Sequence, residues 1–317
     1  MVESDLILTY RGRFAPSPTG PLHFGSLVAA VGSFLQARSQ GGLWHVRIEN
    51  LDPPRESPTA ADQILQALDH FGLYWDGTVV FQSDRLAAYQ AALETLRDRG
   101  LTYCCLCSRK DLNASSKSRI VDPDLGPVYP GTCRNRRTIP RGPYSIRLKT
   151  TNDAITFEDA IQGRFEQRLD QVSGDFVVRR RDGPFSYQLA VVLDDWAQNI
   201  TEVVRGIDLL SQTPRQIFLQ RCLGITTPRY AHLPIVVDAT GQKLSKQTGA
   251  ADVRALKARP VLWQALSFLR QRPPDELRRA PPLELLAWAT ANWQPERLRG
   301  HPRRTVDTSN HNLQDDV

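Results

Sequence analysis

The stretch Arg13-Phe-Ala-Pro-Ser-Pro-Thr-Gly-Pro-Leu-His-Phe-Gly25 decides the fold. It is a rigid Pro/Gly turn between an apolar stretch, Leu6 to Phe14, and the positions Leu27, Val28, Val31, Phe34 and Leu35, which recur at helical spacing. A strand that turns into a helix starting near Ser26 presents unpaired N–H groups and a partial positive charge at the helix N-terminus, where phosphate is stabilised. His23 adds a cationic or hydrogen-bonding side chain at that point. Gly25, lacking a side chain, lets a nucleotide approach the backbone closely.

Working outward, Trp44 to Glu49 reads as a second strand, and helical patterns recur at Ala60 to Phe71 and Leu86 to Arg99. This β-α-β-α order predicts an α/β fold with a Rossmann-type parallel sheet, whose ligands bind at the carboxyl ends of the strands. Residues 1–100 are assigned to the first half of this catalytic domain. Residues 101–143, rich in cysteine, Pro, Gly and basic side chains, read as an insertion carried on loops. The second half, 144–247, has strand signals at Tyr144 to Leu148 and around Arg181-Asp182-Gly183, where Phe176-Val-Val and Tyr187 to Leu193 are expected to pair as a hairpin. Thr201 to Arg205 and Leu233 to Val237 follow as strands, with a helix near Arg215 to Cys222 between them. Residues 248–302 form a small helical region around Val261 to Leu269 and Leu283 to Ala291, and 303–317 a disordered polar tail. No internal repeat is visible.

The 317 residues, 41% hydrophobic and 8% aromatic, suit a large buried core. The N-terminus lacks a signal-peptide pattern, and no apolar run approaches the ~20 residues that span a bilayer, so a cytoplasmic protein without membrane contact is expected. The net charge of +6 is compatible with a polyanionic partner. Five cysteines, three of them within Tyr103-Cys104-Cys105-Leu106-Cys107, point to reduced thiols or a metal site, not to a secreted disulfide framework. Cys105, Cys107 and Cys133 give three soft ligands suited to Zn²⁺, one short of a closed tetrahedral site. A Cys104/Cys107 register is also open. Cys222, inside an apolar helical stretch, reads as core.

Only six lysines occur, so Lys243 and Lys246 in Gly241-Gln-Lys-Leu-Ser-Lys246 stand out. Two lysines on a glycine-containing loop suit the β and γ phosphates of ATP and a leaving pyrophosphate. Ala-Pro-Ser-Pro-Thr-Gly-x-Leu-His-x-Gly together with Gly-x-Lys-Leu-Ser-Lys resembles the paired signatures of class I aminoacyl-tRNA synthetases in their glutamyl form. The likeness runs from about Tyr10 to Gln247, including Arg47-Ile-Glu-Asn-Leu-Asp52 and Val204 to Arg215. One departure is Ser26, where the histidine signature often ends in His or Gly.

A glutamate-selective pocket needs cations for two carboxylates and an anion for the ammonium, and Arg13, Glu49, Tyr187 and Arg205 supply such a set. The resemblance implies that Arg13, Ala15, Ser17, Glu49, Tyr187 and Arg205 bind glutamate, that His23, Gly25 and Lys246 bind ATP, and that His23, Lys243 and Lys246 with Mg²⁺ stabilise the transition state. It also implies Tyr129 as a fourth zinc ligand, from the pattern Cys-x-Cys…Tyr-x-x-x-Cys. The short stretch after Lys246 and this cysteine/tyrosine pattern resemble the glutamyl-queuosine tRNA(Asp) synthetase family. That resemblance implies an enzyme that activates L-glutamate without tRNA and attaches it to queuosine in the anticodon of tRNA(Asp); a monomer is expected. The alternatives are a short glutamyl-tRNA synthetase charging a tRNA 3′ end and an inactive tRNA-binding paralogue. The latter would show damage at His23, Glu49, Lys243 or Lys246, and none is present.

Overall fold

In a computed structural model, the structure describes residues 9–114, 122–237 and 252–305. The strands are β1 (Arg11–Phe14), β2 (Leu43–Ile48), β3 (Val80–Phe81), β4 (Thr102–Cys105), β5 (Ser145–Leu148), β6 (Ala154–Asp159), β7 (Gly163–Arg168), β8 (Phe176–Arg179), β9 (Glu202–Gly206), β10 (Arg229–Leu233), β11 (Ile235–Val237) and β12 (Arg303–Thr305). The helices are α1 (Phe24–Ser39), α2 (Ala60–His70), α3 (Leu86–Asp98), α4 (Arg109–Ala114), α5 (Leu169–Val172), α6 (Tyr187–Ala197), α7 (Thr213–Leu223), α8 (Ala258–Phe268) and α9 (Pro282–Ala291). No helix among the described residues is long and apolar enough to cross a membrane.

The expected parallel arrangement is present. Strand β2 pairs in parallel with β1 and β3, and β10 pairs in parallel with β9 and β6. Thr201 stitches the two sheets together: Arg11 N–H donates to its hydroxyl at 3.0 Å, and its own N–H donates to Arg11 O at 2.9 Å. The carboxyl ends of β1, β2, β9 and β10 therefore open on one side. Helix α1 lies across them because its Leu27, Val28, Val31 and Leu35 face is fully covered. Gly32 permits the approach, since a Cβ there would fall 2.5 Å from the Leu233 side chain. Trp44 is buried with its indole N–H donating to Ser33 Oγ at 3.0 Å, so its polar atom is satisfied.

Four expectations are corrected. Tyr187 to Leu193 is not a hairpin strand but the start of α6; only Arg179 and Phe185 form a bridge before Ser186, whose hydroxyl accepts the Leu189 N–H and caps the helix. A run buried nearly all round carries no periodicity to separate helix from strand, and the cap decides. Leu233 to Val237 is broken by Pro234, which has no N–H to give a ladder. The insertion is not loop alone, because β4 pairs antiparallel with β5. The polar tail does not begin at Arg303: Arg303–Thr305 is β12, parallel to β11. Helices α8 and α9 share the main core: Val261, Leu262, Leu266 and Leu285 join the cluster that also holds Leu27, Leu35 and Trp44.

Candidate active site

A cavity of about 510 Å³ opens at the carboxyl ends of β1, β9 and β10. Arg13, Ala15, Ser17, His23 and Gly25 reach it from the passage between β1 and α1, Glu49 from the end of β2, Tyr187 from the first turn of α6, and Arg205 from β9. Residues spread over some 190 positions of sequence thus line one space. Arg55 and Asp208, which the sequence reading did not single out, line it too. Lys243 and Lys246 lie outside the described residues. A larger depression of about 940 Å³ between α1 and α9 contains none of these groups.

The turn is held by its surroundings because Pro16 and Pro18 donate no hydrogen bonds but accept them. Glu49 N–H donates to Pro16 O and Ser57 N–H to Pro18 O, each at 3.0 Å. His23 is the N-cap of α1, which begins at Phe24: its Nδ1 accepts the Ser26 N–H at 3.3 Å, and its Nε2 lies 3.0 Å from Ser26 Oγ. The serine that departs from the usual signature therefore fixes the histidine ring beside the helix N-terminus.

Beneath the cavity sits a buried ionic network. Arg13 donates from Nε to Asp195 at 3.0 Å, and Arg47 donates to Asp195 at 2.8 Å and to Glu49 at 3.2 Å. Burial opposes charge on Asp195, yet Arg13 and Arg47 hold its carboxyl below the usual range. Glu49 goes the other way: burial pushes its pKa up despite Arg47 and Arg13. A cationic group entering the cavity would offset that cost. The neighbouring Asp194 is fully buried and accepts from Gln82, Tyr89 and Arg85, which ties α6 to α3.

Arg205 is 6% exposed and held on several sides. Its Nε donates to His232 Nε2 at 3.1 Å, one terminal nitrogen to the Tyr187 hydroxyl at 3.3 Å, and the other to Thr213 Oγ1 at 2.7 Å. At the mouth, Arg55 pairs with Asp52, which also accepts from Arg180 at 2.9 Å.

The cysteine cluster is separate. The sulfurs of Cys105, Cys107 and Cys133 lie within 4.8 Å of one another, with Cys107 and Cys133 at 3.8 Å. The Tyr129 hydroxyl is 3.4 Å from Cys105 Sγ and 3.9 Å from Cys107 Sγ, and accepts the Cys133 N–H at 2.8 Å. A tetrahedral site with Zn–S bonds of about 2.3 Å has sulfur–sulfur edges of about 3.8 Å, so the three sulfurs fit zinc in spacing and in softness. Burial raises the Cys133 thiol, but the Leu106 backbone and contacts with Tyr129, Cys107 and Arg136 bring it down to about 7. The Arg147 guanidinium stacks 3.8 Å from the centre of the Tyr129 ring. Cys104 is not in the group, because successive residues of β4 face opposite sides. Cys222 is half-buried against an apolar cluster that includes Leu189 and Phe218.

Sequence reasoning passed over Asp195, Asp194, His232 and Asp159. The signal for the first two was available: a pair of carboxylates inside the apolar run Tyr187-Gln-Leu-Ala-Val-Val-Leu-Asp-Asp-Trp196 is costly to bury without cationic partners.

A profile of the family described as tRNA synthetases class I (E and Q), catalytic domain, matches residues 9–268. The chain is 53% identical over 284 residues to a glutamyl-Q tRNA(Asp) synthetase of Dechloromonas aromatica (strain RCB), covering 90% of this chain and 94% of that one. It is 52% identical over 293 residues to a protein of the same name from Synechococcus sp., covering 92% and 97%. Among solved structures, a glutamate tRNA ligase from Elizabethkingia meningosepticum superposes with a TM-score of 0.76 at 24% identity, over 93% of this chain and 67% of that one, a likeness of fold.

Proposed function

The chain belongs to the class I tRNA synthetases of the E and Q type, and from that premise we propose that the cavity binds L-glutamate and ATP and that activated glutamate passes to queuosine in the anticodon of tRNA(Asp). The observation that carries the proposal is the convergence of Arg13, Glu49, Tyr187 and Arg205 on one cavity with His23 at the adjoining helix N-terminus. In this reading the two arginines take the carboxylates, and Glu49 with the Tyr187 hydroxyl takes the ammonium, whose charge offsets the cost of burying Glu49. Ala15 and Ser17 line the same wall. ATP lies along the turn over Gly25, with His23 and the N-terminus of α1 at its phosphates.

A glutamate carboxylate oxygen attacks the α-phosphorus, a P–O bond forms, and the bond to pyrophosphate breaks. No protein nucleophile is needed, so positioning and charge stabilisation carry the rate. Lys243 and Lys246 are proposed, from sequence, to stabilise the leaving pyrophosphate. Mg²⁺ is proposed to enter with ATP: among the described residues the only group of three or more metal-donor side chains is the cysteine set, and Mg²⁺ is commonly held through substrate phosphates. Zn²⁺ would be held by Cys105, Cys107, Tyr129 and Cys133 and would supply structural closure of the insertion, with no part in the chemistry.

The acceptor rests on the names of relatives about half identical over nine-tenths of the chain. The same proposal has the enzyme acting as a monomer in the cytosol, where ATP, glutamate and tRNA occur together. Pyrophosphate exchange into ATP, run across the amino acids with and without tRNA, tests the activation step. Exchange should require glutamate and no tRNA, whereas exchange with another amino acid alone would overturn the pocket assignment.

A further inference from the structure

Behind Arg205 lies a pair of residues that the chemistry above leaves unused. Asp159, at the end of β6, and His232, on β10, are both buried, and His232 Nδ1 lies 2.5 Å from Asp159 Oδ2. The other carboxylate oxygen, Oδ1, accepts three backbone N–H groups, from Ile161 at 3.1 Å, Gln162 at 2.9 Å and His232 itself at 3.1 Å. The far ring nitrogen, Nε2, meets the Nε–H of Arg205 at 3.1 Å. An arginine nitrogen can only donate, so Nε2 must carry a lone pair and the ring proton must sit on Nδ1, against Asp159.

We propose that Asp159 and His232 form a tautomer lock that positions Arg205 for the substrate carboxylate. The carboxylate keeps the proton on Nδ1, Nε2 is thereby an acceptor, and the guanidinium is oriented from behind while Tyr187 and Thr213 hold its terminal nitrogens. The charged groups that act on His232 are Asp159, Arg205 and Asp208. Burial and the Arg205 charge lower its pKa to about 4, so the ring is neutral at pH 7 and the acceptor persists. His232 and Asp159 are positioning residues that act through Arg205, and the proposal rests on the reading that Arg205 binds glutamate.

Asp159→Asn tests the lock with little other disturbance. Oδ1 remains to accept its three N–H groups, while the new amide N–H₂ faces Nδ1 and drives the ring proton to Nε2, opposite the Arg205 donor. In glutamate-dependent pyrophosphate exchange, the KM for glutamate should rise about 10-fold or more, the scale of a lost hydrogen bond to a charged group, while the KM for ATP stays unchanged. His232→Gln, whose amide oxygen can reach the Nε2 position, should retain more glutamate affinity than His232→Asn. Independently of activity, ¹⁵N-histidine NMR of the unaltered protein at pH 7 should show a neutral buried ring protonated on Nδ1. A ring protonated on Nε2, or on both nitrogens, overturns the proposal even if every variant misfolds. Arg205→Lys separates the two layers. If it leaves the glutamate KM unchanged, the assignment of Arg205 fails and the lock has no function. If it raises that KM but Asp159→Asn does not, the assignment stands and the lock falls.

Discussion

Replacing His232 by Gln should flatten the acid dependence of folding stability. In the folded chain burial and then the Arg205 charge lower the His232 pKa from 6.5 to about 4. Between those values the unfolded chain binds a proton at this residue that the folded chain does not, so stability is full above pH 6.5 and is lost as pH falls toward 4. A displacement of about 2.5 units at about 1.4 kcal/mol each amounts to about 3.5 kcal/mol over that window. In the unaltered protein Asp159, whose carboxyl is held below its usual 3.8 mainly by His232 against the effect of burial, contributes at still lower pH. Urea unfolding at half-unit steps from pH 7 to 4.5, for both proteins, gives the slopes. The unaltered protein should lose stability more steeply, by about 1.2 kcal/mol per unit in the middle of the window, whatever the offset between the two curves. Parallel curves would show that His232 titrates as it does in water and would refute the reasoning.

Three further outcomes are expected. Asp195→Ala leaves Arg13 and Arg47 buried without their shared carboxylate, and should cost about 3–5 kcal/mol in urea unfolding; a loss below about 1 kcal/mol would contradict the burial of the network. Protein purified without chelators should carry close to one zinc per chain, and Cys105→Ser or Cys133→Ser should lose it, as metal analysis would report. Lys246→Ala should slow glutamate-dependent pyrophosphate exchange by about 100-fold or more, and an unchanged rate would assign that lysine to an ordinary surface loop.

What the sequence made legible was local. The turn from Arg13 to Gly25 is short, its prolines and glycines limit the backbone, and its place between strand and helix follows from periodicity alone. The close spacing of Cys105 and Cys107, with Cys133, likewise singles out side chains that the fold gathers, and Tyr129 is legible only through the family resemblance; which of Cys104 and Cys105 faces inward depends on the strand register of β4. Residue type and motif together point Glu49, Tyr187 and Arg205 to the same cavity even though Tyr187 begins a helix and not the expected strand, because both a strand end and the first turn of a helix face the same edge. The supports behind them were not legible. Asp195 approaches Arg13 across 182 residues, and Asp159 approaches His232 across 73, and no local pattern encodes a pairing that exists only once β6, β9, β10 and α6 have assembled. The same holds for α8 and α9, whose apolar faces say that they are covered but not by which helix.

The most direct test of the proposed reaction follows the glutamate. Labelled glutamate, ATP and Mg²⁺ are incubated with the protein and tRNA(Asp) containing queuosine, the product is cut with a nuclease, and the label is located, with tRNA(Asp) lacking queuosine as the parallel sample. The account predicts label on the anticodon fragment of the queuosine-containing tRNA and none on the other. Label on the 3′ terminal adenosine of either tRNA would contradict it and establish an aminoacylating synthetase instead.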